Sequence, residues 1–152
     1  MSIPSRVQVH ALVSAPDLSI PWQETVTLSW ADRQRVRQRV HTDRGTEVLL
    51  ALPRGRSLRQ GDVLYQDQEG LIKVVAELEP VVLISGIPIA QLCRVAHQLG
   101  NWHRPIQLTE SGSLMALVDE PLQAWLSLAQ IPFAITHLPF EPTLTGHHHS
   151  HP

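Results

Sequence analysis

The sequence predicts an α+β chain in which a β-rich domain is followed by a smaller mixed domain and a histidine-bearing tail, on three observations. Up to Ala76 the chain alternates polar and apolar residues at period two, punctuated by Gly45, Gly55, Gly61 and Gly70, which is the pattern of short half-buried strands and turns. From Pro80 short apolar runs alternate with two segments of helical spacing. From Pro142 onward no apolar period remains, as expected of a flexible terminus. The expected division is a β-rich, sandwich-like domain over 1–76, a second domain over 77–142, and a flexible histidine tail over 143–152, with the joint near Ala76 to Glu79.

In the first domain, Arg6 to Val13 and Glu24 to Trp30 alternate as strands, and Thr46 to Pro53 is a more continuous apolar run that Pro53 stops. Asp62 to Leu78 contains two strand-like runs around a polar turn at Gln66 to Gly70, a hairpin signal. Arg33, Arg35, Arg37 and Arg39 alternate with Gln and Val, so a strand there would place all four on one face. Such a face could meet an acidic partner or phosphate. Without interleaved aromatics it reads better as a solvated edge than as an RNA surface.

In the second domain, Pro80 to Gly86 is a short strand and Pro88 suits the first turn of a helix. Ile89, Leu92, Cys93, Ala96 and Leu99 follow as its apolar stripe, and Gly100-Asn101 reads as its stop. Pro105 to Thr109 and Ser113 to Val118 pair across Glu110 to Gly112. Asp119 is placed to cap a second helix with Pro121 in its first turn and Val118, Leu122, Trp125, Leu126 and Ala129 on one face. Pro132 to Leu138 closes the domain as a strand. The order βαββαβ is that of a ferredoxin-like domain.

Composition narrows the function. A formal charge of −2 with 17% charged residues excludes a polybasic nucleic-acid binder and an acidic disordered tail. There is no signal segment or long apolar span, so no membrane partner is expected and the cytoplasm is the default compartment. Cys93 is the only cysteine, which rules out an internal disulfide or a thiolate cluster within one chain; in the apolar stripe it reads as core. No HExxH, phosphate-binding Gly loop or nucleophile elbow is present, so nothing points to an enzyme.

The histidines are the anomaly. His147, His148, His149 and His151 crowd the end of the chain, interrupted by Ser150. Neutral imidazoles on one short segment can wrap Ni(II), Zn(II) or Cu(II) without a preformed pocket; an affinity tag would leave a similar trace. His103 lies just past the first helix of the second domain, between Trp102 and Arg104, where a single histidine is more often a capping or exposed residue than a ligand. His97 lies beside the helix's stripe and reads as flanking the core.

Three stretches carry a resemblance. Arg39 to Leu64, with Thr42-Asp43, Gly45-Thr46-Glu47, Arg54-Gly55 and Gly61-Asp62, is similar to the N-terminal pattern of the UreE family of urease accessory proteins, the nickel metallochaperones of urease maturation. Leu99 to Leu108 resembles that family's Leu-Gly-Asn-Arg-His-x-Pro motif, and Leu138 to Pro142 followed by a histidine tail completes the match over nearly the whole chain. The resemblance implies a β-rich domain that contacts partners and a ferredoxin-like domain through which two chains form a homodimer. It implies that His103 of each protomer meets at the interface, that His147, His148, His149 and His151 supply further ligands, and that the tail is native. It also implies delivery of Ni(II) to the urease apoprotein with a GTPase accessory protein, without catalytic turnover. Gln98 stands where the family often has histidine and Trp102 where it has arginine, and Met115 to Pro121 lacks the histidine cluster of some members. Four tail histidines fit delivery rather than storage. The competing reading is a peptide-binding or co-chaperone module whose tail is incidental or buffers zinc, and it differs by tolerating the loss of His103.

Overall fold

The structure, a computed structural model, describes residues 3–144. These form two compact units divided after Glu77. The first contains strands β1 (Arg6–Val9) and β2 (Gln23–Leu28), a short helix α1 (Trp30–Arg33), and strands β3 (Arg37–His41), β4 (Glu47–Ala51), β5 (Val63–Gln66) and β6 (Leu71–Ala76). They make two three-stranded sheets, ordered β1-β4-β3 and β2-β6-β5. The period-two alternation seen in the sequence decides which face each strand buries. Val7, Val9, Val48 and Leu50 from one sheet share a single apolar core with Val26, Leu28, Ile72 and Val74 from the other, the sandwich expected.

The two sheets are also joined by a polar node. Glu24, only 2% exposed, occupies an inward position of β2. Its carboxylate accepts from Thr42 Oγ1 at 2.6 Å and Trp22 Nε1 at 3.1 Å. Thr42 Oγ1 in turn accepts from the Thr46 amide at 3.0 Å, while Asp43 exchanges hydrogen bonds with Thr25 at 2.8 and 2.9 Å. The β3–β4 hairpin tip is thereby bolted onto β2 of the other sheet. Burial opposes the charge on Glu24, but the hydroxyls of Thr42 and Thr46 and the Trp22 indole outweigh it, holding the carboxyl below its ordinary value despite nearby Asp43.

A depressed folded-state pKa contributes stability above the unfolded value of about 4.3 that is lost as pH falls through the folded value. Glu24→Ala, which strands two buried donors, should cost about 3 kcal/mol in denaturant unfolding near neutrality. Glu24→Gln should cost less, and its deficit relative to wild type should shrink below about pH 4. A deficit independent of pH would show that the charge is not what the node uses.

The arginine comb departs from expectation. Ser29 Oγ accepts from the Asp32 amide at 3.1 Å and starts α1, which ends the preceding strand at Leu28. Arg33 is therefore helical and buried, Arg35 lies in the connection, and only Arg37 and Arg39 share an exposed face of β3. A hydroxyl cap four residues ahead of the repeat overrides its alternation.

The second unit contains β7 (Leu78–Ile84), α2 (Ile89–Asn101), β8 (Gln107–Leu108), β9 (Leu114–Leu117), α3 (Glu120–Leu128) and β10 (Ala134–Pro139). Its sheet is ordered β10-β7-β9-β8 with every neighbour antiparallel, the ferredoxin-like βαββαβ arrangement. Val82, Ile84, Leu114 and Ala116 on one sheet face pack with Val95, Leu99, Leu122 and Leu126 of the helices. Asp119 caps α3 as expected, its Oδ1 accepting the Leu122 amide at 2.9 Å.

The buried stripe of α2 is rotated from the expected one. Val95 and Leu99 are buried and Leu92 and Ala96 half-buried, whereas Ile89 and Cys93 are exposed. At 100° per residue Cys93 and His97 each lie about 200° from Val95, on the outer face. The core reading of Cys93 is thus corrected, as is that of His97, which is also exposed. No helix among the described residues is long and apolar enough to cross a membrane.

Candidate metal centre

Helix α2 does not stop at Gly100. It continues through Asn101, and the turn beyond it closes with the Trp102 amide on Gln98 O (3.1 Å), the His103 amide on Gly100 O (3.0 Å) and the Arg104 amide on Leu99 O (2.9 Å). The last two bonds are the paired closure of a Schellman motif, whose pivotal residue must be left-handed and is usually glycine. Here the pivot is His103, at φ 56°. A residue with a Cβ is held there at a cost of about 1 kcal/mol relative to glycine. The imidazole so placed is exposed.

The turn is braced on both sides. Trp102 meets Trp125 of α3 edge-to-face, with ring centroids 6.1 Å apart at 77°. The Arg104 guanidinium lies 5.0 Å from the Trp102 ring centre, and that of Arg94 lies 5.8 Å from the Trp125 ring centre. Arg104 also forms an ion pair with Asp119, the cap of α3. For Asp119, burial works against ionisation, but the Arg104 hydrogen bond, the Leu122 amide and the Arg104 charge outweigh it and lower the carboxyl pKa. The residues flanking His103 are therefore fixed to α3, while His103 itself projects from the turn.

Asp119→Ala should cost about 1 kcal/mol through the lost cap. Asp119→Asn, which keeps the cap and loses the ion pair, should cost less, since half-exposed pairs contribute about 0–1 kcal/mol. Chemical denaturation of both variants checks the order. Because the Asp119 carboxyl is depressed, its share of stability is present above about pH 4 and is lost in acid as pH falls through the folded value.

The other expected ligands, His147, His148, His149 and His151, lie outside the described residues. Among the described residues no group of three or more His, Cys, Asp or Glu side chains could hold a metal ion, so His103 belongs to no ready-made three-ligand set there. What the structure does place is the root of the tail. Thr143 and Leu144, assigned to the tail from the sequence, are held against the segment leading from the His103 turn. Ile106 donates to Leu144 O at 2.9 Å, its own carbonyl accepts from the Thr143 and Leu144 amides at 3.0 and 3.1 Å, and the Leu108 amide donates to Thr143 Oγ1 at 3.0 Å. Gln107 Oε1 accepts from the Glu141 amide at 2.8 Å on the same path. The chain thus leaves β10 at one edge of the sheet and is fastened beside β8 at the other. Sequence reasoning missed this anchor because Thr143-Leu144 shows no period of its own; the two polar side chains that accept backbone amides across it, Gln107 from Glu141 and Thr143 from Leu108, are its only trace.

Comparison with known proteins gives the family. The family model for the N-terminal domain of the UreE urease accessory protein matches residues 8–77, and that for its C-terminal domain matches residues 79–152. The chain belongs to the UreE family. Urease accessory protein UreE of Nostoc sp. strain PCC 7120 is 37% identical over 139 residues, which covers 90% of this chain and 92% of that one. The protein of the same name from Nostoc punctiforme is 36% identical over 131 residues, 84% of this chain and 88% of that one. That of Paraburkholderia xenovorans is 36% identical over 133 residues, 84% of this chain but 58% of the relative, so the chain spans little more than half that protein's length.

Set on this UreE fold, the motif residues separate by task. Thr42 and Asp43 are structural, bolting one sheet of the first unit to the other. His103 alone in the Leu-Gly-Asn-x-His stretch is both exposed and backbone-strained. Trp102 is half-buried against the core of the second unit, and the Arg104 guanidinium lies over its ring.

Proposed function

We propose that the chain carries Ni(II) and hands it to the urease apoprotein together with a GTPase accessory protein, without catalytic turnover, in the cytoplasm. The observation that supports this best is the pairing of Ile106 with Leu144, which roots the tail three residues from His103. Three extended residues span at most about 11 Å, so both His103 and His147 lie within that reach of the same paired point. Imidazoles from two distant stretches of sequence can therefore act on one ion.

A single imidazole cannot satisfy a metal ion that takes four to six ligands. In the proposed homodimer, joined through the second unit, His103 near the symmetry axis faces its own copy, so one histidine per chain becomes two ligands. His147, His148, His149 and His151, with water, complete the shell and leave an exchange route open. Borderline imidazole donors suit Ni(II) and also accept Zn(II) or Cu(II), and affinity alone would favour Cu(II). Selection for nickel therefore falls to metal supply and to the docking partner. Since protonated imidazole cannot ligate, affinity should fall as pH drops below about 6.5.

Calorimetric titration with Ni(II), paired with activation of apo-urease by the loaded protein, tests the assignment. Tight nickel binding with no activation would leave a metal buffer. Activation that survives loss of His103 would favour the peptide-binding module.

A further inference from the structure

We infer that the first unit bears a docking surface for an acidic segment of a partner protein, built by the β4–β5 connection and the α1–β3 connection and centred on Arg56. Two observations carry this independently of any metal chemistry. The first is unmatched charge. The β4–β5 connection lies alongside the α1–β3 connection: the Leu52 amide donates to Val36 O at 2.9 Å, Leu58 to Arg33 O at 2.9 Å, and Ser57 Oγ to Gln34 Oε1 at 2.7 Å. These two arms and the first residue of β3 carry exposed Arg35, Arg37, Arg54, Arg56 and Arg59 against a single carboxylate, Asp62, whose Oδ2 already accepts the Arg59 amide at 2.8 Å. Elsewhere on the unit the arginines are matched: Arg6 and Arg39 both pair with Glu47, at 3.1 and 3.0 Å, and Arg44 stacks 4.4 Å from the centre of Trp22. On the arms, Arg35 has only a loose contact with Asp32 at 3.7 Å, and among the described residues Arg37, Arg54, Arg56 and Arg59 have no ion pair.

The second observation is shape. Arg56 lines a cleft of about 370 Å³ with Leu12, Val13, Pro16, Asp62 and Val63, and the bond from the Val13 amide to Val63 O (2.9 Å) holds its walls together. The lining is mixed, with apolar Leu12, Val13 and Val63 beside polar Ser14 and Asp62, and the Asp62 carboxylate is engaged by the Arg59 amide at 2.8 Å, which leaves the Arg56 guanidinium to grip an incoming carboxylate with two parallel hydrogen bonds. The remaining arginines would steer an acidic segment toward it. The occupant is a protein segment rather than a nucleic acid, because the arms carry no aromatic side chain for base stacking and the chain's net charge is −2.

The test uses the full chain with a chelator present, so that it succeeds or fails apart from the nickel assignment. The probe is a labelled peptide of about ten residues alternating glutamate with alanine, followed by fluorescence anisotropy at low and at physiological salt. Saturable binding is expected, weakened at least tenfold by Arg54→Glu/Arg56→Glu/Arg59→Glu and by no more than twofold by Arg6→Glu/Arg39→Glu. Arg56→Ala alone should weaken binding more than Arg54→Ala alone, since only Arg56 lines the cleft. Absence of saturable binding, equal loss in both double-arginine and triple-arginine variants, or equal loss in the two single variants would overturn the proposal. Tighter binding of a single-stranded oligonucleotide than of the peptide would overturn it as well.

Discussion

His103→Gly should abolish nickel binding at the proposed interface site while making the protein more stable. The two effects separate because the residue does two unrelated things. Its backbone is the left-handed pivot that ends α2, where glycine has no Cβ penalty, so the substitution should add about 1 kcal/mol of stability. Its side chain is exposed and outside the apolar core, so little packing is lost with it. Affinity for Ni(II), in contrast, should fall by more than about 100-fold, since removing even an outer-shell partner of a ligand costs 10–100-fold. His103→Ala should lose the metal to the same extent with stability near wild type, because alanine keeps the Cβ and the strain. His103→Asn, which tolerates the left-handed conformation, should fall between the two in stability and bind no better. Thermal unfolding, titration calorimetry and urease activation on the three variants test all of this. Should any of them bind nickel as wild type does, His103 is not the ligand, whatever its stability.

That a histidine occupies a glycine-like position was not legible in the sequence, and the reason is physical. Gly100-Asn101 is a sound stop signal, yet a glycine permits the left-handed conformation without compelling it. The closure is decided by Arg104, whose amide reaches back to Leu99 O while its side chain pairs with Asp119 and lies over Trp102. That pairing joins residues far apart in the chain and has no local pattern. The same limit explains Cys93. Ile89, Leu92, Cys93, Ala96 and Leu99 fit helical spacing, but so does Leu92, Val95, Ala96 and Leu99, and only the sheet beneath selects the second set. By contrast, the βαββαβ order, the Asp119 cap and the two-sheet first unit were readable, because each rests on local period or on a single side chain. Thr42 and Asp43 illustrate a third case: the resemblance marks them and the structure supplies the reason, a joint between sheets around a buried carboxylate.

Removing residues 145–152 should lower nickel affinity at least tenfold without altering the association state or the fold, whereas removing 143–152 should also destabilise the protein. The first truncation leaves the bridge between Ile106 and Leu144 intact. The second deletes the partners of Ile106 and Leu108, and several backbone hydrogen bonds at about 0.5–1.5 kcal/mol each would go with them. The sharper experiment keeps every histidine and changes only the tether. A flexible Gly/Ser spacer of about 20 residues inserted between Leu144 and Thr145 would stretch the span from on the order of 10 Å to on the order of 25 Å. Effective concentration falls roughly as the −3/2 power of tether length, so the tail's contribution to affinity should drop about 20-fold with the ligand set unchanged. A spacer variant that binds as tightly as wild type would show that the tail captures metal on its own, and that its anchoring beside His103 serves the fold alone.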